Sequence, residues 1–365
     1  MYTRGHDPRT EPCDPTTLAF DQYQRYTIVA QVAELIHSHL ERPRLRVLDV
    51  GGLFRTRAGQ NILPLNHFLP KDEVVVVDLQ SAQGALGSTR FSCYALANGL
   101  ALPFGTQTFD LVASCDTLEH VLPANRLAFI DELLRVADHY LVLIAPFDTE
   151  STRRAERILH DYLTAQDLRL SQLEEHLSYG LPSTDDVSAQ LAEHGLAAVD
   201  FPDGYLPHWL ALMIIKHTPS LSLEFQLHLD RYYNTHFSPY DRRLPAYRHA
   251  FVVAKPGYEA LLPTVTDTLQ STQLSTFPDP SFAVDFGHLL RQSDTATLNT
   301  ALREVEGQLA KVQTARDTLQ AENATLRQLV ASYERGRFIR SMRWLRALSN
   351  RLRGTRVHAR EKVLE

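Results

Sequence analysis

LRVLDVGGLFRTRAGQNILPLNHFLPKDEVVVVD, residues Leu45–Asp78, joins two apolar runs through a glycine pair and a polar segment. The runs Leu45–Val50 and Val74–Val77 predict strands, and the segment between them predicts a turn and a helix, which together form a βαβ unit. Glycine lacks a Cβ and lets the backbone approach a ligand closely, and an acid at a strand tip can accept hydrogen bonds from ribose hydroxyls. We therefore expect a nucleoside-containing ligand at this edge, although the full G-x-G-x-x-G pattern is absent.

The same alternation of apolar runs and amphipathic segments continues to about residue 255. Further strands are predicted at 91–96, Leu111–Ser114, Tyr140–Ala145, Ala197–Phe201 and Phe251–Ala254. Helices are predicted at Phe20–Leu40, from Thr117 onward, and at Arg126–Ala137, Thr149–Tyr179 and Asp185–His194. One or two more helices are predicted at 205–235. Near-continuous apolar strands that alternate with helices indicate an α/β fold with a parallel sheet covered on both faces. A helical insertion at about 205–245 can cover a site at the carboxyl edge of that sheet.

The composition limits the classes of function that are open to the chain. Its 365 residues are 44% hydrophobic, as in a folded protein, and a net charge of -6 argues against a nucleic-acid partner. Three cysteines without a C-x-x-C spacing argue against a disulfide framework or a zinc site and favour a reducing cytoplasm. No His/Asp/Glu ligand cluster is visible in the sequence, so no metal is expected. Neither a signal peptide nor an apolar run of the ~18 residues needed to span a membrane is found.

The two ends of the chain differ in character from the α/β region. Residues 1–17 are interpreted as a flexible N-terminus, and residues 256–293, rich in Pro, Thr, Ser and Asp, as a linker. Apolar residues at 294–333 follow a heptad pattern with Asn323 at an a position, which predicts a coiled coil and favours a parallel homodimer over a helix that folds back on the domain.

The last segment, 334–365, is strongly basic. It holds ten Lys/Arg and three Asp/Glu, a charge of +7 that leaves -13 for the rest of the chain. Arginines flank a stripe that includes Phe338, Met342 and Leu345, a pattern typical of a basic amphipathic helix. Such a helix can lie on an anionic membrane surface or dock in the groove of a partner protein. We expect a cytoplasmic protein that is peripheral to the inner face of the membrane.

Three stretches of the α/β region resemble motifs of the class I S-adenosylmethionine-dependent methyltransferases. They are VLDVGG, VVVVDL and, most specifically, ALANGLALPFGTQTFDLVASCDTLEHV, which ends at Val121. The resemblance covers residues 18–255. It implies a doubly wound, mostly parallel, seven-stranded Rossmann-like sheet of strand order 3-2-1-4-5-7-6 with its last strand antiparallel, and S-adenosylmethionine as cofactor.

The resemblance also implies a set of cofactor-binding residues, namely Asp49, Gly51, Gly52, Asp78, Leu79, Asn98, Gly99 and Cys115. Asp49 and the glycine pair would line the methionine part of the cofactor. Asp78 would hold the ribose hydroxyls, and the carbonyl oxygen of Asn98 could accept a hydrogen bond from the adenine amino group.

Two residues are candidates for catalysis. The imidazole of His120 suits the removal of a proton from a hydroxyl that attacks a methyl group, and Asp116 is a competing base. Each also has a structural interpretation, since His120 can pack in a helical turn and Asp116 can cap one. Further histidine candidates come from the covering segments: His160, His176 and His208. Upstream, Tyr23, Arg25 and Tyr26 are either surface residues or a clasp for a ligand carboxylate.

Together these features favour a bacterial methyltransferase that O-methylates a sugar of a cell-surface glycan. Its partners would be S-adenosylmethionine, a glycan or small-molecule acceptor, a second copy of the chain, and an anionic membrane or glycan-assembly enzymes. One alternative is a non-catalytic methyltransferase-like scaffold of a membrane-associated glycan-assembly complex. Another is a small-molecule or lipid methyltransferase.

Overall fold

The computed structural model describes residues 14–56, 59–81, 93–270, 281–335 and 340–351. Within the helix at 281–335, side chains are described for residue 303 and for residues 305–332. The predictions made for the first thirteen residues, and for the last fourteen, lie outside these ranges.

The centre of the fold is a seven-stranded sheet. Its strands are β1 (Arg46–Val50), β4 (Glu73–Asp78), β5 (Cys93–Leu96), β6 (Phe109–Cys115), β7 (Ala137–Pro146), β8 (Ala197–Tyr205) and β9 (Ala246–Ala254), and a separate hairpin is formed by β2 (Phe54–Arg55) and β3 (Asn61–Ile62). The order across the sheet is β5-β4-β1-β6-β7-β9-β8. Only β9 runs antiparallel to its neighbours β7 and β8. The predicted α/β fold, strand order and antiparallel last strand are therefore confirmed.

Helices cover both faces of this sheet. The helices of the described residues are α1 (Phe20–Leu40), α2 (Leu65–Phe68), α3 (Arg126–Val136), α4 (Glu150–Ala165), α5 (Ser171–Tyr179), α6 (Thr184–Glu193), α7 (Leu206–Lys216), α8 (Leu223–His236), α9 (Leu262–Gln270) and α10 (Ser281–Arg335). One face packs against α1 and α9, and the other against α3 and α6. A third apolar cluster joins α4, α7 and α8, which lie over the carboxyl edge of the sheet.

The chain between β1 and β4 differs from the predicted βαβ unit. The hairpin β2–β3 and the single turn α2 replace the expected helix. Gly59 has a φ of +76°, a conformation that favours a tight turn over a helix. Pro64, which cannot donate a backbone hydrogen bond, precedes α2 and limits any helix to the residues that follow it.

Two other predictions of local structure are wrong. The residues after Thr117 form a 3-10 turn, Leu118–His120, rather than a long helix, and the Asp116 side chain does not cap it because arginines bind that carboxylate. The predicted linker at 256–293 contains α9, whose Leu262, Val265 and Leu269 are buried in the core. A composition rich in Thr and Pro hid this short amphipathic face.

The C-terminal part of the chain is helical where the structure describes it. Helix α10 is continuous from Ser281 to Arg335, so it begins before the predicted coiled-coil boundary at 294. Residues 340–351 form a further helical segment. Among the described residues, no helix is both long and apolar enough to cross a membrane.

Candidate functional site

A cleft with a volume of about 910 Å³ opens at the carboxyl edge of the sheet. Parallel strands end at this edge, and it is where open α/β sheets bind their ligands. Nine of the ten residues predicted for catalysis or cofactor binding line the cleft: Gly51, Gly52, Asp78, Leu79, Asn98, Gly99, Cys115, Asp116 and His120. The tenth, Asp49, is fully buried beneath the glycine turn. Phe54 and Arg55 also line the cleft.

The turn after β1 needs glycine at both positions. Gly51 has a φ of +84°, and a Cβ there would overlap the side chain of Thr117. A Cβ on Gly52 would overlap the carboxylate of Asp49. Oδ2 of that carboxylate accepts a hydrogen bond of 3.0 Å from the Tyr26 hydroxyl, and burial raises the pKa of Asp49 to about 7. Its Oδ1 has no partner among the described residues, which leaves an acceptor at the base of the cleft.

The tips of β4 and β5 form the next wall of the cleft. Asp78 is partly exposed, and its carboxylate accepts hydrogen bonds from the backbone N–H groups of Leu53 at 3.3 Å and Gln80 at 3.0 Å. Leu79 is 72% exposed beside it and offers an apolar surface. Oδ1 of Asn98 accepts a hydrogen bond of 3.0 Å from the backbone N–H of Leu100. The ends of these strands thus present a carboxylate, an amide and an apolar side chain to the cleft, a set that suits a nucleoside.

Asp116 is held between two arginines. Arg248 on β9 donates from Nε to Oδ1 and from Nη2 to Oδ2, both at 2.7 Å, and Arg25 on α1 pairs with the same carboxylate. Burial acts to raise the pKa of Asp116, but the guanidiniums of Arg248 and Arg25 outweigh it and lower this pKa. A carboxylate in this arrangement is a weak base. Of the upstream trio, Arg25 and Tyr26 line the cleft, and Tyr23 does not.

Histidines from two elements meet on the covered side of the cleft. Nδ1 of His120 lies 2.7 Å from Oε2 of Glu175 on α5, and Nδ1 of His176 lies 2.8 Å from Oε1 of Glu156 on α4. The two Nε2 atoms face each other at 3.5 Å. Burial, together with the neighbouring His176, lowers the pKa of His120, so its imidazole is neutral at pH 7.

Glu119 completes this group. Its side chain is 1% exposed, and burial raises the pKa of its carboxyl group to about 8. Glu119, His120 and His176 bring one potential ligand atom each to within 4.8 Å of the others. The sequence showed no such cluster because His176 is 56 residues from His120 along the chain. Only the packing of α5 on the 3-10 turn brings them together.

Helix α7 and strand β9 contribute several residues to the cleft that were not predicted as site residues. Lys216 at the end of α7 forms an ion pair of 2.8 Å with Asp21 on α1. Trp209 on α7 stacks on Tyr247 with ring centroids 3.5 Å apart. The side chains of Lys216, Trp209 and Tyr247 all line the cleft. Arg248 and Tyr247 carried no motif, and they lie outside the predicted last strand, Phe251–Ala254, because the observed strand β9 already begins at Ala246.

The other candidate histidines and the cysteine are placed as follows. His160 lies on α4 near Asp161, and Nδ1 of His208 is 2.8 Å from Oδ1 of Asp241; neither residue lines the cleft. Cys115 lines the cleft but is almost fully buried, and burial raises the pKa of its thiol well above the usual value. Its thiol is therefore a neutral wall residue rather than a nucleophile.

The chain is similar to one known protein family and to several solved structures. Residues 56–140 match the family model described as a methyltransferase domain. No curated protein sequence matches the chain. Among solved structures, the chain is similar to a magnesium protoporphyrin IX methyltransferase from Synechocystis PCC 6803 with bound SAH, at 16% identity over 64% of this chain and 84% of that one, with a TM-score of 0.38.

Two further structures show likenesses of the same order. A SAM-dependent methyltransferase from Aquifex aeolicus is 17% identical over 49% of this chain and 85% of its own, with a TM-score of 0.30. The YcgJ protein from Bacillus subtilis is 15% identical over 61% of this chain and 98% of its own, with a TM-score of 0.35.

The family match contains the Asp78 tip and the whole D-x-L-E-H stretch that closes β6. The strand order, the glycine turn with its unpartnered Asp49 oxygen, and the acid at the end of β4 fit S-adenosylmethionine. The chain therefore carries a methyltransferase domain, and its cleft fits S-adenosylmethionine as the cofactor.

Proposed function

We propose that this enzyme O-methylates a sugar hydroxyl of a bacterial cell-surface glycan, with His120 as the general base. The observation that carries the proposal is the Glu175–His120 hydrogen bond of 2.7 Å in the wall of the cofactor cleft. Because Nδ1 faces a carboxylate, that nitrogen carries the proton and Nε2 keeps its lone pair. A neutral imidazole that keeps the lone pair on Nε2, here 3.5 Å from Nε2 of His176, can accept the proton of a hydroxyl.

S-adenosylmethionine supplies a methyl group made electrophilic by the adjacent sulfonium. The residues of the chain would bind the cofactor, align it with the acceptor and remove the proton of the acceptor. Asp78 would hold the ribose, and the Gly51-Gly52 turn would let the backbone lie against the methionine part. Arg25, already in the cleft, can in addition bind a cofactor carboxylate, because its Nε has no partner among the described residues.

During transfer, His120 would accept the acceptor's proton at Nε2 as the oxygen attacks the methyl carbon. Glu175 would then stabilise the imidazolium through Nδ1–H, as the carboxylate does in a catalytic triad. Asp116, bound by two guanidiniums, is better suited to fixing the position of α1 and β9 at the cleft. We therefore prefer His120 to Asp116 as the base.

A sugar acceptor is supported by the lining of the covered side. Trp209 and Tyr247 provide aromatic surface, and Ser171, Gln172 and Glu175 provide hydrogen-bonding groups. Aromatic faces pack against the C–H faces of a ring while polar groups bond its hydroxyls. The lining fits a small cyclic polyol better than a long acyl chain, which disfavours the lipid alternative.

The test is transfer of a radiolabelled methyl group from S-adenosylmethionine to a fractionated bacterial envelope extract. We expect label in the polysaccharide fraction. We also expect His120→Ala to lower the rate of methyl transfer by about 10²-fold or more while its affinity for S-adenosylhomocysteine stays unchanged. His160→Ala, a histidine outside the cleft, serves as the control. Label in lipid or small molecules would contradict the glycan acceptor. An Asp78→Ala variant that keeps full function in cells would instead favour the scaffold.

We further propose that α10 pairs two copies of the chain and that the segment at 334–365 binds an anionic membrane. Six apolar heptad residues of α10 are more than half exposed in the single chain: Val305, Leu309, Val312, Leu319, Leu326 and Val330. In the helical segment at 340–351, Met342, Trp344 and Leu345 are likewise exposed beside arginines. Vesicle co-sedimentation with and without phosphatidylserine checks the second point, and binding that is independent of anionic lipid would contradict it.

A further inference from the structure

Three atoms on the covered side of the cleft form a triangle of the size that a metal ion fills. Nε2 of His120 and Nε2 of His176 are 3.5 Å apart, and each is 4.0 Å from Oε1 of Glu119. A point equidistant from the three lies about 2.2 Å from each of them, and metal–nitrogen and metal–oxygen bonds of zinc are ~2.0–2.2 Å long. A movement of each ligand atom by a few tenths of an ångström towards this point would give bonds of the usual length.

Both imidazoles are oriented as metal ligands are. Nδ1 of His120 is bonded to Glu175 at 2.7 Å, and Nδ1 of His176 is bonded to Glu156 at 2.8 Å. Metal-binding histidines almost always donate the other ring N–H to such an acceptor, which fixes the tautomer and aims the free nitrogen at the ion. Glu156 is itself held by a hydrogen bond of 2.9 Å from the Tyr247 hydroxyl. The hydrogen-bond partners that orient the two histidines are therefore already present.

The buried carboxyl group of the cluster also has an oxygen without a partner. Glu119 is buried, its Oε2 has no hydrogen-bond partner, and within the described residues no lysine or arginine forms an ion pair with it. The carboxylates of Glu156 and Glu175 add further negative charge behind the histidines. The carboxyl group of Glu119 is therefore available to bind a cation.

A second cluster shows the contrast. Asp110, Asp138 and His139 also bring ligand atoms together. Here, however, Asp110 already pairs with the guanidinium of Arg42 and accepts a hydrogen bond of 2.7 Å from the backbone N–H of Arg46. Its charge is satisfied, and none of the three residues lines the cleft. This group is explained as a structural ion-pair network.

We propose that Glu119, His120 and His176 bind one first-row divalent metal ion. Two imidazoles and one carboxylate are the donor set of zinc and of non-haem iron sites. All three residues line the cleft, so an oxygen of the acceptor can take a further coordination position. The inference does not depend on the proposed function, because metal binding is measured without methyl transfer. Nε2 of His120 can coordinate or accept a proton, so its role as a base belongs to the metal-free site.

The experiment titrates chelator-treated, full-length protein with Zn²⁺ by calorimetry, and with Co²⁺ by visible absorption. We expect one equivalent to bind. Glu119→Gln and His176→Ala, which each remove a ligand, should weaken binding by more than about 100-fold, and Glu156→Gln by about 10–100-fold. His194→Ala is the control, because His194 has the same kind of carboxylate partner, Asp131 at 2.7 Å, on the exposed surface away from the cleft. Its binding should equal that of the wild type.

Folding of each variant is checked by its affinity for S-adenosylhomocysteine and by urea unfolding. X-ray absorption spectroscopy of the zinc-loaded wild type needs no variant and should show two imidazole ligands. No binding by the wild type, equal binding by the ligand variants, or a zinc shell without imidazole would each overturn the metal site. Failure of cofactor binding with normal zinc binding would instead count against the methyltransferase function alone.

Discussion

At the scale of single residues, Gly52 is the position with least room for change. A Cβ there would overlap the Asp49 carboxylate, and the Asp49 side chain cannot retreat because it is fully buried and bonded to Tyr26. We expect Gly52→Ala to destabilise the protein by about 1–3 kcal/mol and to weaken binding of S-adenosylhomocysteine by about tenfold or more. Calorimetry and urea unfolding measure the two effects.

Gly105→Ala is the matched control for that substitution. A Cβ on Gly105 would meet only Oγ1 of Thr108 at 3.4 Å, an ordinary contact. Its affinity for S-adenosylhomocysteine should equal that of the wild type. A Gly52→Ala variant with unchanged affinity would show that the turn does not approach the cofactor.

Asp78 gives a prediction about the ribose. Two backbone N–H groups hold its carboxylate at the tip of β4, where it can accept hydrogen bonds from two hydroxyls. A hydrogen bond to a charged group contributes about 1.5–3 kcal/mol, so Asp78→Ala should weaken S-adenosylhomocysteine about 10–100-fold. Asp161→Ala removes a highly exposed carboxylate of α4 and should have no effect. Equal affinity of the two variants would remove Asp78 from the cofactor site.

Asp49 predicts a pH-dependent contribution to stability. Burial raises its pKa from the model-peptide value of 3.8 to about 7, so the folded protein binds a proton more tightly than the unfolded chain does. The stability that this proton contributes is present below about pH 4 and is lost as the pH rises through about 7. Asp49→Asn cannot ionise and should gain stability relative to the wild type between pH 5 and pH 8.

Urea unfolding at both pH values checks this difference. Asp161→Asn, at an exposed site, should show the same stability relative to the wild type at pH 5 and pH 8. If the Asp49→Asn difference is also constant, the carboxyl group of Asp49 ionises normally in the folded protein.

At the scale of elements, the ion pair between Arg248 and Asp116 joins the antiparallel strand β9 to the tip of β6 across β7. Arg248 is 1% exposed and donates twice to the carboxylate. Removing one partner of a buried pair typically costs about 3–5 kcal/mol, because the other charge is left uncompensated. We expect Arg248→Met to lower the free energy of unfolding by this amount, and we expect the loss to shrink when Asp116→Asn is added.

Arg153→Met provides the comparison. Arg153 pairs with Asp148 at the surface, where both side chains are well exposed, and such pairs contribute about 0–1 kcal/mol. A loss from Arg248→Met no larger than that from Arg153→Met would mean that Arg25 alone stabilises Asp116.

The same scale shows where prediction of elements from the sequence succeeded and failed. Helix α1 was predicted with its observed bounds, because a long segment with an apolar face gives an unambiguous signal. The 3-10 turn Leu118–His120 was mistaken for a helix because its pattern is too short to show a period. Thr149–Tyr179 was predicted as one helix but is two, α4 and α5. The break between them lets α5 bring Glu175 and His176 over the cleft.

At the scale of the whole molecule, the exposed heptad stripe of α10 predicts the oligomeric state. The apolar a and d residues are more than half exposed in a single chain, and Asn323 at an a position favours two strands. We expect the full-length protein to be a dimer and a chain ending at Gln270 to be a monomer with unchanged affinity for S-adenosylhomocysteine. Sedimentation equilibrium and calorimetry measure these properties. A monomeric full-length protein would show that the stripe has another partner.

The sequence by itself determined the fold, the cofactor and nine of the residues that line the cleft, because these depend on local patterns: apolar strands, a glycine turn, and acids at strand tips. The tertiary structure alone decided what surrounds them. Arg248 reaches Asp116 from 132 residues away, and His176 reaches His120 from 56 residues away. Contacts between distant residues are set by how helices and strands pack, and no spacing in a single sequence records that packing.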